Sequence, residues 1–487
     1  MSRPPVLSAT RAAALVSGFD RSPAYVGLAD ALVLLVGDGR IPAGTRLPSE
    51  RELTGSLAVS RTTVTRAYAL LRDAGYAEAR QGSGTFTRMP GGRARAHDRA
   101  LLPRPGDGDA IDLSCAAPTA PPPVAAAYAA AAGDLPAYLG GHGYFPQGLP
   151  ELQAAIARSY ASRGLPTEPE QVMVTPGALS ATAIVARAFG ARGERALVET
   201  PVYPNATEAM RAGGSRLVAS PVDPGGWDLE AAAAILRRTS PRLAYLIPDF
   251  QNPTGLLMSD AERETYAAHL RRSGTIAVVD EAHQALGLDP GVAEAMPRPF
   301  AAYAEAAITI GSASKSFWGG LRLGWVRMPP DDRDGMDRLV ATRIHLDLGA
   351  PVMEQLVLAR LLADPEAAAL VAHRTRLRVQ RDTLVSALRA SLPTWRFRVP
   401  TGGLALWCEL PQARATALAE EAERHGVLLS PGPVFAVEGG LDRYVRLPWT
   451  RPAAELDDAV RRLALAWAVV CETRQAGRTT SGRVMVA

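Results

Sequence analysis

Five short apolar runs set the tightest limit on what this chain can fold into. They are Val172–Val174, Ala196–Val198, Leu243–Ile247, Ile276–Val279 and Ile308–Ile310, separated by Ala-rich segments of helical length. Runs without polar alternation, spaced by helices, predict a mostly parallel sheet covered on both faces. In α/β folds of this kind, ligands bind beyond the carboxyl ends of the strands. Each run is followed there by residues that a plain connection does not need. These are Thr175-Pro-Gly-Ala178, Pro201-Val-Tyr203, Asp249-Phe-Gln-Asn252-Pro-Thr-Gly255, Asp280 and Ser312-Ala-Ser-Lys315. One such motif is weak evidence; five on one edge argue for a site.

Lys315 adds a second constraint, because it is the only lysine among 53 Lys+Arg residues. Arginine is always charged, whereas a lysine amine can lose its proton and form a Schiff base. An accidental surface lysine in an Arg-rich protein is the plain alternative, and the neighbours weigh against it. Bulk properties narrow the setting. A chain of 487 residues, 47% hydrophobic and 21% charged, has room for two or three soluble domains. No apolar run reaches the ~18 residues of a membrane span. The N-terminus has no convincing signal peptide. Cys115, Cys408 and Cys471 are too scattered for a disulfide framework or a metal site. The expectation is a cytoplasmic protein without metal.

The charge is uneven. Residues 1–105 hold 15 Arg against 8 Asp+Glu, while the remainder holds 38 basic against 41 acidic residues. A basic module on a neutral body suggests a polyanion partner. Within it, Leu28, Leu32 and Leu35 share one helix face that stops near Gly37. Ser49 with Glu52 forms a capping box ahead of Leu53 and Leu57. Ser60 opens a further helix whose Val64, Ala67, Tyr68 and Leu71 face inward. Arg61, Thr62, Thr65 and Arg66 are left outside, suited to phosphates and base edges. Two short strands then flank Arg80-Gln-Gly82-Ser-Gly84, a wing with an arginine at its tip.

Leu47-Pro-Ser-Glu-Arg-Glu-Leu53, Ser60-Arg-Thr-Thr-Val64 and Arg80-Gln-Gly-Ser-Gly-Thr-Phe86 together closely resemble the GntR family of bacterial DNA-binding domains. The resemblance implies an α+β winged helix-turn-helix over residues 21–88, binding double-stranded operator DNA through Ser60, the four outward residues, Arg80 and Gly82. Residues 89–110 read as a flexible basic linker and 475–487 as a tail.

Residues 111–474 resemble the fold-type I aminotransferases, whose cofactor is pyridoxal 5′-phosphate (PLP). That resemblance implies an α/β body with a large and a small subdomain. Lys315 matches the Schiff-base lysine, Asp280 the carboxylate on the ring nitrogen, Asn252 the partner of the ring hydroxyl and Tyr203 the stacking aromatic. The phosphate falls to the backbone of Ala178 and Leu179 at a helix start, with Ser312, Ser314 and Arg322. Tyr138 matches a tyrosine that reaches the phosphate from a partner subunit, and Arg446 an arginine that clamps a substrate carboxylate. Bland roles stay open: Tyr203 as core, Arg322 as an ion pair, Arg446 as a closure of the small subdomain. His283 stands where many relatives place a tyrosine; it either donates the same bond or is simply packed.

Head, linker and body together resemble the MocR family of bacterial transcription regulators, which implies a head-to-tail homodimer. Two functions follow. One is a regulator sensing a small amine or a pyridoxal-related effector through exchange at Lys315. The other is a working aminotransferase acting on an amino acid. With one side-chain amine in the chain, borohydride treatment of the PLP-loaded protein is expected to fix cofactor to the Lys315 peptide alone. Peptide mass mapping checks this, and label elsewhere in the folded protein would refute it.

Overall fold

The computed structural model describes residues 5–37, 40–80, 82–88, 110–121, 123–363 and 368–472. Most of the expected linker and the tail lie outside these residues.

The N-terminal head comprises α1 (Ala9–Leu15), α2 (Ala24–Gly37), α3 (Glu50–Leu57), α4 (Arg61–Asp73) and a hairpin of β1 (Ala77–Arg80) and β2 (Gly84–Thr87). Local chemistry sets the helix starts. The Ser49 and Glu52 side chains cap each other's backbone ahead of α3, at 3.3 and 2.9 Å, and Ser60 Oγ accepts from Thr63 N at 3.0 Å ahead of α4. Such caps satisfy amides that the first turn leaves without partners. Leu28, Leu32, Leu53, Val64, Ala67 and Leu71 meet in the head core, as the periodicity predicts.

The head also reaches further towards the N-terminus than residue 21. Leu7 N donates to Arg46 O at 2.9 Å, and Ala12 and Val16 of the α1 segment are buried in the head core. An alanine-rich single-face helix carries too little hydrophobic contrast to be read beforehand.

In the body, β3 (Ile111–Leu113) enters a smaller sheet, and the chain then builds the central one. Its eight strands are β4 (Val172–Thr175), β5 (Arg195–Thr200), β6 (Arg216–Asp223), β7 (Gly226–Trp227), β8 (Leu243–Leu246), β9 (Ile276–Asp280), β10 (Ile308–Ser312) and β11 (Gly324–Arg327). The order is β4-β11-β10-β9-β8-β5-β6-β7. Strands β10, β9, β8, β5 and β6 pair in parallel, while β11 lies antiparallel between β4 and β10. Side chains alternate between two cores: Val172 and Val174 enter one, Met173 the other, and Ala244 and Leu246 oppose Leu243 and Tyr245. That two-sided burial explains the unbroken apolar runs. Since the five predicted strands point the same way, their five trailing motifs share one edge.

The smaller sheet adds β12 (Arg396–Phe397), β13 (Ala405–Glu409), β14 (Val427–Pro431) and β15 (Tyr444–Pro448), in the order β12-β13-β15-β14-β3. Its core includes Leu406, Leu429, Leu447 and the fully buried Trp449. Head and body touch directly. Arg40 Nε lies 2.9 Å from Asp223 Oδ1, Leu441 N donates to Gly37 O at 2.8 Å, and Arg11 pairs with Asp228.

Candidate active site between the two sheets

Lys315 follows β10, and its Nζ donates to the carbonyl of Ala116 at 2.9 Å. Ala116 follows β3, so this bond joins the two sheets. Among the described residues no carboxylate pairs with the amine. Burial lowers the Lys315 pKa to about 8; Arg446 and Arg322 push the same way, against Cys115 and Asp280. At pH 8 about half of such an amine is uncharged, against less than about 1% of an ordinary lysine. The site therefore holds a nucleophile in usable form near neutral pH.

Asp280 ends β9, buried, in register with Ile310 of β10. Burial raises its pKa, opposed by bonds from the Tyr245 hydroxyl and from Ala282 N at 2.8 Å. It is thus a carboxyl group fixed by two bonds, and a cation beside it would favour its ionised form. Tyr203 starts the helix Pro204–Ala212, its hydroxyl accepting from Asn205 Nδ2 at 2.9 Å, and it is electrostatically coupled to Tyr245 and Arg446.

The expected phosphate end also assembles. Ala178 and Leu179 open the helix Ala178–Phe189 after Gly177, whose φ is +96°. A Cβ on Gly177 would stand 3.2 Å from Arg322 Nη2, so the guanidinium lies over that helix start. A Cβ on Gly324, the partner of Ser312 across β10 and β11, would stand 2.5 Å from Ala178 N. Glycine thus lets Ser312, Ala178 and Arg322 crowd together, so that helix-start amides, a hydroxyl and a guanidinium, all suited to an anion, lie close to one another. Ser314 N donates to Ser312 Oγ at 3.2 Å, which places Ser314 beside the group; no bond from its hydroxyl is seen.

Arg446, on β15, is fully buried. Its Nη1 reaches Asn252 Oδ1 at 3.3 Å, Nη2 bonds Ser114 O, and its guanidinium lies 4.9 Å from the Phe435 ring centroid. Burial lowers its pKa to about 10, and its Nε has no partner. A buried guanidinium without a paired acid, among the described residues, has the charge and donors to receive a carboxylate. His283 is also buried, its Nδ1 3.0 Å from the Phe250 carbonyl; burial, Lys315 and Arg446 lower its pKa to about 4. Asn252 and His283 line one small cavity with Ala116 and Leu404.

One expected residue stays apart. The Tyr138 hydroxyl bonds Glu151 and its ring packs edge-on to Phe145 at 6.0 Å, with no contact to the Lys315 group of its own chain. Four contributors went unread in the sequence. Tyr245 sits in an apolar strand and looks like core, and Ala116 acts through its backbone. His373 Nε2 meets Lys315 O at 3.0 Å, from a helix that carries no motif. Phe435 backs Arg446 from a separate segment.

On the head, Arg61, Thr62, Thr65 and Arg66 are all exposed along α4. Arg61 Nε and the Thr65 hydroxyl lie 3.6 and 2.8 Å from Glu50 Oε2. Arg66 lies over the Tyr25 ring at 4.8 Å. Arg80 binds Glu78 at 2.8 Å and lies over Phe86, beside the exposed Gly82 at φ +70°. The Ser60 hydroxyl is engaged in its cap and with Thr63.

Fold and site together define a winged-helix head joined to an aminotransferase-type body. Two family models match the chain: "Aminotransferase class I and II" over residues 110–463 and "Bacterial regulatory proteins, gntR family" over residues 24–87. The chain belongs to the aminotransferase class I and II family and carries a GntR head. It is 31% identical over 319 residues to a 2-aminoadipate transaminase of Thermus thermophilus, covering 64% of this chain and 79% of that one. It is 30% identical over 384 residues to the probable rhizopine catabolism regulatory protein MocR of Rhizobium meliloti, covering 73% and 75%. Among solved structures, LysN, the α-aminoadipate aminotransferase of Thermus thermophilus complexed with N-(5′-phosphopyridoxyl)-L-leucine, superposes with a TM-score of 0.66 at 28% identity, covering 75% and 93%.

Labelling of Lys315 by an amine-acylating reagent, followed by peptide mass, is expected to rise with pH through about 8. Removing a neighbouring cation favours the charged amine, so Arg446→Gln shifts that midpoint upward. A midpoint near the ordinary lysine value, or a downward shift in the variant, contradicts this electrostatic account.

Proposed function

We propose that the protein is a PLP-dependent transcription regulator: the head binds operator DNA, and the body reports the presence of a small amine. The observation that carries the reading is the exposed set on α4, presented by a basic head that an amino-group transferase has no use for. The likeness to MocR, a regulatory protein by name, supports it. No described helix is long and apolar enough to cross a membrane, and a protein that acts on operator DNA would do so in the bacterial cytoplasm.

The residues at the sheet edge fit PLP. Asp280 is a fixed carboxyl group for the ring nitrogen, Ala178, Leu179, Ser312 and Arg322 suit the phosphate, and Lys315 is an amine bonded to the Ala116 carbonyl. When bound, PLP supplies an aldehyde and an electron-withdrawing ring. Lys315 then offers the amine that an incoming amine replaces, and Arg446 orients that newcomer by its carboxylate. The effector is thus an amino acid or a pyridoxal-related compound. Tyr138, engaged only locally in its own chain, serves the neighbouring subunit of a head-to-tail homodimer. The direct contacts at Asp223, Asp228 and Leu441 give the body a second connection to the head besides the linker. Leu441 lies five residues before Arg446, so a shift of β15 on carboxylate binding bears on the surface where α2 ends. The assembled lysine, aspartate and arginine also favour a second reading, an aminotransferase with an accessory head.

Selection from random duplexes by the full-length protein tests the regulator reading. A specific site is expected, and Arg61→Ala and Arg66→Ala should each weaken it by ~1–3 kcal/mol if they read bases. A phosphate contact instead lowers the salt slope by about one unit on all sequences. Glu50→Gln frees Arg61 and should tighten binding to unselected DNA. Failure to enrich any duplex, or variants that bind like wild type, would sink the assignment.

A further inference from the structure

The His283 imidazole has one fixed bond. Its Nδ1 lies 3.0 Å from the Phe250 carbonyl. A carbonyl oxygen carries no hydrogen, so Nδ1 must hold the ring's N–H. Burial and the charges of Lys315 and Arg446 keep the ring neutral, with a pKa lowered to about 4. In a neutral imidazole the second nitrogen then has only a lone pair. His283 is therefore not equivalent to a hydroxyl that donates.

What faces that lone pair follows from the shape of PLP and the placement of its anchors. The aldehyde carbon that Lys315 attacks lies opposite the ring nitrogen. It is flanked by the ring hydroxyl on one side and the phosphate-bearing arm on the other. With the nitrogen at Asp280 and the phosphate at the Ala178 helix start under Arg322, the hydroxyl faces the remaining side. There the cavity of Asn252 and His283 lies, and it shares no residue with the phosphate end. Asn252 Oδ1 is turned to Arg446, which leaves its amide hydrogens for an oxygen in the cavity. The pair thus presents one donor, from Asn252, and one acceptor, from His283. A hydroxyl satisfies both; an oxyanion, which can only accept, satisfies one.

We propose that His283 is a specificity-determining acceptor, which makes the site select a ring whose oxygen keeps its proton. The inference rests on the reading that the body binds PLP at Lys315. Its consequence is chemical. The proton shared between the ring oxygen and the nitrogen bonded to the cofactor stays on oxygen. The uncharged nitrogen leaves its carbon a weaker electrophile, so amine exchange is slow. A bound effector is then held rather than turned over.

Absorption spectra of the PLP-loaded full-length wild type, His283→Phe and His283→Tyr test this. The form with the proton on oxygen absorbs in the near-ultraviolet, and the form with it on nitrogen absorbs in the visible. The near-ultraviolet band is expected to dominate in wild type. The visible share should rise in His283→Phe and further in His283→Tyr, by about tenfold, the scale of one hydrogen bond. His283→Gln, whose amide can donate, should move the same way if the tyrosine variant does not fold. Identical spectra across the series, or a dominant visible band in wild type, would overturn the proposal. Borohydride fixation separates the two levels. Cofactor fixed at Lys315 with a flat series removes only the role of His283. No fixed cofactor in wild type removes the PLP reading itself.

Discussion

The bond from Lys315 Nζ to the Ala116 carbonyl spans the two sheets of the body, and the rest of the site depends on their apposition. The edge of the central sheet brings Asp280, Asn252 and the group of Ala178, Ser312 and Arg322. The smaller sheet brings Arg446 on β15 and the Ser114–Ala116 segment after β3. Arg446 crosses the same boundary to reach Asn252 and Ser114. Neither sheet alone has both the Lys315 amine and the Arg446 guanidinium. A ligand with an amine and a carboxylate would replace both cross-sheet contacts with its own. On the proposed function, such a ligand is the one to which this seam responds, because only differential contact shifts an equilibrium between arrangements.

Low dielectric gives the seam its chemistry. Two arginines near a buried amine oppose its protonation, and no acid neutralises it directly. The same burial withholds a proton from His283 and raises the pKa of Asp280. Three groups of different kinds are thus displaced toward their uncharged forms, and a cation brought beside Asp280 would restore its carboxylate. Such convergence marks functional sites more strongly than any one shift.

Much of this was legible beforehand because it depends on periodicity and residue type. The five apolar runs became β4, β5, β8, β9 and β10, and their trailing motifs share an edge because parallel strands point one way. The α4 pattern of four buried and four exposed positions came out in register. Features carried by backbone or by remote pairing were not legible. Strand β11 inserts antiparallel between β4 and β10 after an 11-residue connection, and nothing in Gly324–Arg327 announces that. The Ala116 carbonyl has no side-chain signature. Tyr245 was hidden by the apolar strand around it, and α1 by its lack of hydrophobic contrast. The tautomer of His283 is set by the Phe250 carbonyl, 33 positions away in sequence, and only three dimensions reveal it.

On the proposed function, events at the seam are read by the head. The most direct test is the affinity of the PLP-loaded full-length protein for its selected duplex, measured by fluorescence anisotropy at fixed salt with each common L-amino acid in turn. The account predicts that an amino acid shifts the wild-type Kd by roughly fivefold or more, the usual scale of coupling between sites. It further predicts that Lys315→Ala and Arg446→Gln abolish the shift while still binding the duplex. An unchanged Kd with every amino acid, or the same shift in both variants, would contradict it.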